Sequence, residues 1–236
     1  MNTLLIDKAR LEKHNQIILD GGGHTPNDTE MCIMEAVSWV AGEPWSDHPK
    51  CASEVLGAML RTANDLMSDT ERQALKPFIP RLVGTRADVE VEKHRAYMAL
   101  DWLVRECLPA WLKATGEETL APWVTEIASW TEIVPDAIEQ IRDKLSKLAW
   151  DARAAWDARA AWDARAARAA WDARAARAAR AARDAWDAWD AISNCALILA
   201  HKTNGSVAEK TEALNAVSRD TRPGWWALLE KMLQAK

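Results

Sequence analysis

At 236 residues with 49% hydrophobic side chains, the chain is long enough to bury a core and too apolar to be a disordered one. A net charge of −5 and a pI near 5.6 argue against a general nucleic-acid or anionic-membrane binder. Cys32, Cys51, Cys107 and Cys195 are widely spaced and read as free thiols, and no apolar run suits a signal peptide or a membrane span, so a cytoplasmic protein is expected.

Residues 1 to 23 carry two short apolar runs, Leu4 to Ile6 and Ile17 to Leu19, ahead of Gly21-Gly22-Gly23; they suggest a small β-hairpin or an irregular arm. The segment TEMCIMEAVSWVAG reads as a helix capped by Asp28 or Thr29 and ended by Gly42. A second helix is expected from about Ala52 to Leu66, and Ser68 with Glu71 forms a capping-box pair for a short third one stopping at Pro77. Pro80 and Gly84 then bound Arg81-Leu82-Val83. A long helix follows from near Arg86, with Tyr97, Leu100, Leu103 and Val104 facing inward, a bend at Pro109 and a stop at Gly116. On it, Glu90, Glu92, His94 and Arg95 look like a solvated face.

Residues 117 to 130 give one more helix. From Pro135 to about Thr203 no proline or glycine interrupts the chain, which predicts a continuous rod closed by Asn204-Gly205. Ser206 and Glu209 cap a further helix, and Pro223-Gly224 precedes the terminal WWALLEKMLQ. The reading is all-α, with an N-terminal helical domain over 1–134, a long repeat helix over 135–204 and a C-terminal helical segment over 205–236.

Within the rod, Trp150 to Asp190 is written in triplets, every third residue being Trp or Arg: Trp150, Arg153, Trp156, Arg159, Trp162, Arg165, Arg168, Trp171, Arg174, Arg177, Arg180, Arg183, Trp186 and Trp189. On an α-helix each triplet turns 300°, so this line circles the rod; on a 3₁₀-helix it forms one straight stripe. Ala and Arg favour α, and five aspartates, such as Asp157 after Arg153, stand four residues beyond an arginine, the spacing of α-helical neighbours. An extended 3₁₀ segment stays the alternative. Eight arginines against seven aspartates leave the tract nearly neutral.

Length turns this pattern into a statement about partners. Lys144 to His201 would span about 87 Å as α or about 116 Å as 3₁₀, against about 40 Å for a compact domain of the preceding residues. Such an overhang exposes tryptophans that bury roughly 150–250 Å² each when packed, and monomers rarely display so much contiguous apolar surface. Self-association through the triplets, or cover by another protein, is therefore expected. Copying slippage of nine-base units is an alternative origin of the repeat, and it leaves the same tryptophans needing cover.

The run CIMEAVSWVAGEPWSDHPKCASEVLGAMLRTANDL (Cys32 to Leu66), followed by FIPRLVGT (Phe78 to Thr85), resembles the N-terminal region of a family of uncharacterised bacterial and phage proteins, over roughly residues 24 to 113. Some members carry Ala-rich triplet tails, which are also similar to tails of predicted toxin-immunity proteins. The resemblance implies a role in bacterial or phage conflict, such as immunity or inhibition, and assigns no site residues.

Candidate chemistry is confined to one region. His24, Cys32, His48 and Cys51 are zinc-type ligands, and His48-Pro-Lys-Cys51 has a workable two-residue gap. Glu35, Asp47 and His48 would serve acid-base chemistry if brought together. Gly21-Gly22-Gly23-His24 lacks the strand, Lys and Ser/Thr of a phosphate loop. Trp and Arg interleaving suits single-stranded bases, but aspartate neutralises most of the arginine. The expectation is a non-enzymatic interaction or self-assembly protein without a cofactor, the alternative being a small metal-binding enzyme with the repeat as its oligomerisation element.

Overall fold

The computed structural model describes residues 6–26, 29–116 and 206–235. The expected helix over 117–130, the rod from Pro135 to Thr203 with its triplet tract, and Cys195 lie outside them. Helices dominate the described residues, with one two-stranded sheet.

The first element is a helix, α1 (Lys8–Lys13), capped by Asp7, whose carboxylate accepts from the Arg10 amide; a 3₁₀ turn over His14–Gln16 follows. Leu4 and Leu5, in the first run of the hairpin or irregular arm suggested for residues 1 to 23, lie outside the described residues, and the second run supplies β1 (Ile18–Leu19), which pairs in parallel with β2 (Glu30–Met31), in the register Ile18 to Glu30 and Leu19 to Met31. Two-residue alternation sets the faces, Leu19 and Met31 inward and Ile18 about half exposed.

Helix α2 (Ile33–Val40) begins later than its sequence suggests, because Glu30 and Met31 are spent on the strand. Its cap is Cys32: the thiol accepts from the Glu35 amide and the Glu35 carboxylate returns to the Cys32 amide. Gly42 ends this segment at φ +68°, a conformation that glycine adopts without strain. Helix α3 (Glu54–Leu66) is capped by Ser53, and α4 (Asp69–Arg72) by the expected Ser68–Glu71 box. The chain does not stop at Pro77: a 3₁₀ run over Gln73–Phe78 carries through it into α5 (Ile79–Leu82), where Pro80 takes a first-turn position that needs no amide hydrogen.

The long helix is α6 (Val89–Trp102), a π turn (Leu103–Cys107) and α7 (Leu108–Thr115) in succession, closed by Gly116 at φ +74°. Pro109 offers no amide hydrogen to the Arg105 carbonyl, and the turn ahead of it widens so that the Leu108 amide reaches the Leu103 carbonyl. Leu103 is fully buried and Tyr97 half-buried. Helix α8 (Val207–Gln234) starts on the expected Ser206 cap but runs without a break through Pro223-Gly224. An interior proline costs about 3 kcal/mol; Trp225, Leu228, Leu229 and Met232, all buried beyond it, recover roughly 1.5–3 kcal/mol apiece.

Those four side chains enter the same core as Ile17, Leu19, Met31, Ile33, Val37, Leu56, Leu60, Leu75, Ile79 and Leu82. Helix α2 packs on α3 and α5, α6 lies on α3, and α8 runs along α6, the π turn and α7. At Gly224 the Glu106 carboxylate of the π turn occupies the place a Cβ would take.

Two arginines tie this together, and one corrects the solvated face expected on α6. Glu90 and His94 are exposed, but Glu92 and Arg95 are buried. The Ser53 hydroxyl donates to Glu92 (2.6 Å), and Arg95 donates to Glu92 (3.0 Å), to the Thr85 carbonyl (2.7 Å), and to the Met232 and Ala235 carbonyls at the end of α8 (3.0 and 2.9 Å). Arg72, also buried, donates to the Asn64 and Met67 carbonyls at the end of α3, where a cation suits the helix dipole, and bridges to Asp69 and Asp20.

Candidate functional site

Two regions are candidates for a functional site: the residues between His24 and Cys51, and a groove beside α8. In the first, Glu35 stands in the first turn of α2, almost fully buried. Its carboxylate accepts from the His24 amide (3.0 Å), the Cys32 amide (2.8 Å) and the His24 ring at Nδ1 (2.9 Å). The other ring nitrogen faces Asp20 at 3.6 Å, and the His24 carbonyl accepts from the Trp45 indole. Burial alone would raise the Glu35 carboxyl, but the amide donors from Cys32 and His24 outweigh it and hold the group below its ordinary range. Glu35 is thus an ionised anchor that ties the glycine loop to α2.

The glycine loop has its amides engaged in the same way. Gly21 N–H donates to Asp20 and Gly22 N–H to Asp65, so carboxylates hold the positions an anion would need. Asp47 and His48 form a separate pair, Nδ1 to Oδ1 at 2.6 Å, with the His48 ring mostly exposed. The structure therefore makes two carboxylate–histidine pairs and does not join Glu35, Asp47 and His48 into one acid-base group.

The four zinc-type residues have separate local roles. Cys32 caps α2, and burial pushes its thiol up to about 12. Cys51 is buried, its thiol pushed up to about 11 by burial and the nearby Glu43 charge, and its carbonyl accepts from the Gly84 and Arg86 amides. His24 binds Glu35, and His48 binds Asp47. Among the described residues, no three His, Cys, Asp or Glu side chains gather in a metal-binding arrangement. Cys107, buried in the π turn, is likewise raised to about 12 by burial.

The groove was not legible as a site. A cavity of about 1250 Å³ lies between the end of α3, the π turn with α7, and the middle of α8. Met59, Leu66, Met67, Trp102, Trp111, Trp225 and Trp226 supply its apolar surface, and Glu71, Arg219 and Arg222 its charges. Arg222 pairs with Glu71 and donates to the Ser218 hydroxyl (2.7 Å); Arg219 reaches Glu212 at 3.2 Å. Trp225 and Trp226 meet edge to face at 4.9 Å, and Trp226 stacks on Phe78 at 5.7 Å. The enclosed indole nitrogen of Trp102 has no hydrogen-bond partner among the described residues.

These tryptophans all stand outside the triplet tract. The usable signal was the adjacent Trp225-Trp226, since neighbours on a helix point about 100° apart and cannot both face one core direction. The fourteen Trp and Arg positions from Trp150 to Trp189, expected as an assembly interface, lie outside the described residues. No described helix is long and apolar enough to cross a membrane. No family model, curated protein or solved structure matches the chain.

Proposed function

We propose that this chain is a non-enzymatic helical interaction protein that assembles through its triplet tract, Trp150 to Asp190. The observation that carries the reading is the tract itself: six tryptophans repeated among alanines, in a segment whose arginines and aspartates nearly cancel. Such a segment gains most by packing against protein surface, where each indole removes roughly 150–250 Å² from water. Its composition favours an α-helix, with alanine faces narrow enough for close approach between copies. The candidate chemical residues support the same reading, because the side chains of Glu35, His24 and Cys32 are engaged in holding a loop and a cap. Bacterial or phage conflict, as inhibitor or immunity protein, is the setting that the N-terminal resemblance suggests.

Light scattering at micromolar concentration tests the proposal. The full chain is expected to be oligomeric, and a variant lacking Trp150 to Asp190 monomeric. A monomeric full chain overturns it. If deletion spares a biological activity that Cys51→Ser abolishes, the protein is instead a metal-dependent enzyme with a dispensable tail.

A further inference from the structure

We infer that the groove between α3, the π turn and α8 receives the Trp-Asp-Ala words of the triplet tract of a second copy of this chain; the inference rests on the self-assembly reading above. The cavity, at about 1250 Å³, exceeds the roughly 300–1,000 Å³ of small-molecule sites and suits a segment of chain. Its surface is aromatic and thioether-rich, from Trp102, Trp225, Trp226 and Met59, and it carries two arginines, Arg222 paired with Glu71 and Arg219 with Glu212, each guanidinium keeping further N–H donors.

The complement to such a surface is an indole beside a carboxylate. The chain writes that pair six times, at Trp150-Asp151, Trp156-Asp157, Trp162-Asp163, Trp171-Asp172, Trp186-Asp187 and Trp189-Asp190. The indole meets the aromatic floor while the aspartate approaches the arginines, and polarizable methionine sulfur accommodates rings in more than one pose. Each word also brings an aspartate carboxylate, an acceptor of the kind that the Trp102 indole nitrogen lacks among the described residues.

A second copy is the occupant because the words are spread over 41 residues, more than one groove holds. A tract folded onto its own groove leaves most of its indoles uncovered. Two copies that exchange tracts fill both grooves and lay the remaining words against each other, in a closed pair with two identical contacts.

Photo-cross-linking in the full chain tests this. Leu66 lines the groove and is 44% exposed, so Leu66→p-benzoylphenylalanine is tolerated there. Equal amounts of light and heavy-isotope protein are unfolded together in urea, refolded, irradiated and digested. The expected result is cross-links from position 66 to peptides within Trp150 to Asp190, in mixed light–heavy pairs. Arg222→Glu is expected to lower their yield about tenfold, the scale of one like-charge contact of about 1.4 kcal/mol. Replacing the six tract tryptophans by alanine, which leaves the groove's own residues untouched, is expected to abolish them. Cross-links confined to same-label pairs, to other segments, or absent from a sample that light scattering shows to be oligomeric overturn the groove inference alone. A monomeric sample overturns the assembly reading with it.

Discussion

Glu35 ties the loop at His24 to the first turn of α2. It is buried and ionised, and removing its charge leaves the Cys32 and His24 amides facing a poorer acceptor. Glu35→Gln is expected to cost about 1–3 kcal/mol in urea unfolding at pH 7. The pH dependence follows from the lowered carboxyl. Its unfolded-state value is near 4.5 and its folded value lies below that, so its stabilisation is present above about pH 4.5 and drains away as pH falls through the folded value. Unfolding between pH 5 and pH 3, read by circular dichroism, is expected to show a shallower stability loss in Glu35→Gln than in the wild type; equal slopes would refute the assignment. Sequence showed Glu35 as a possible acid-base group. It could not show the anchoring role, since His24 lies eleven residues away across a loop whose path is set by the β1–β2 pairing.

At the scale of elements, the end of α8 is held by Arg95. Its guanidinium takes two carbonyls there and also neutralises buried Glu92. Arg95→Met strands Glu92 and frees both carbonyls, with an expected cost of about 3–5 kcal/mol; amide exchange should quicken first in Leu228 to Gln234. Pro223→Ala restores an acceptable amide to the middle of α8 and is expected to raise stability by about 1–3 kcal/mol in urea unfolding. No gain would mean that the Arg219 carbonyl is already satisfied or that the ring packs usefully in the groove. The caps were legible because they are local: Ser68 with Glu71, Ser206, Gly42 and Gly116 each act within a few residues. The buried side of α6 was not, because Glu92 meets Ser53 from 39 residues away and Arg95 meets Met232 from 137. Charge on an isolated helix face looks solvated until its partners are known. Pro223 misled for a related reason, since tertiary burial on α8 outweighs a local preference to stop.

For the whole molecule, the driving force of assembly distinguishes an apolar tract from a charged one. With a net charge of +1 over Trp150 to Asp190, association through indoles and alanines is expected to persist, or tighten, when salt rises from about 0.05 M to about 0.5 M, where surface charge attraction is largely screened. Dissociation over that range, measured by analytical ultracentrifugation, would place arginine–aspartate contacts between copies in charge instead. The all-helical class was legible from periodicity and caps. The joining of α8 to the N-terminal core was not, because amphipathic patterning tells which face of a helix is buried and not against what.

That joining also sets an order of events during synthesis. Trp225, Leu228, Leu229 and Met232 complete a core begun by Ile17 and Leu19, yet the ribosome makes them after all six tract tryptophans. At roughly 5–20 residues per second, residues 1 to 116 wait on the order of ten seconds for α8. During that interval an unfinished apolar face and a run of indoles emerge together on one nascent chain. If copies pair through the tract as proposed, chains growing on one messenger would meet before either has closed, and pairing is expected to form between sister polypeptides more readily than between finished ones.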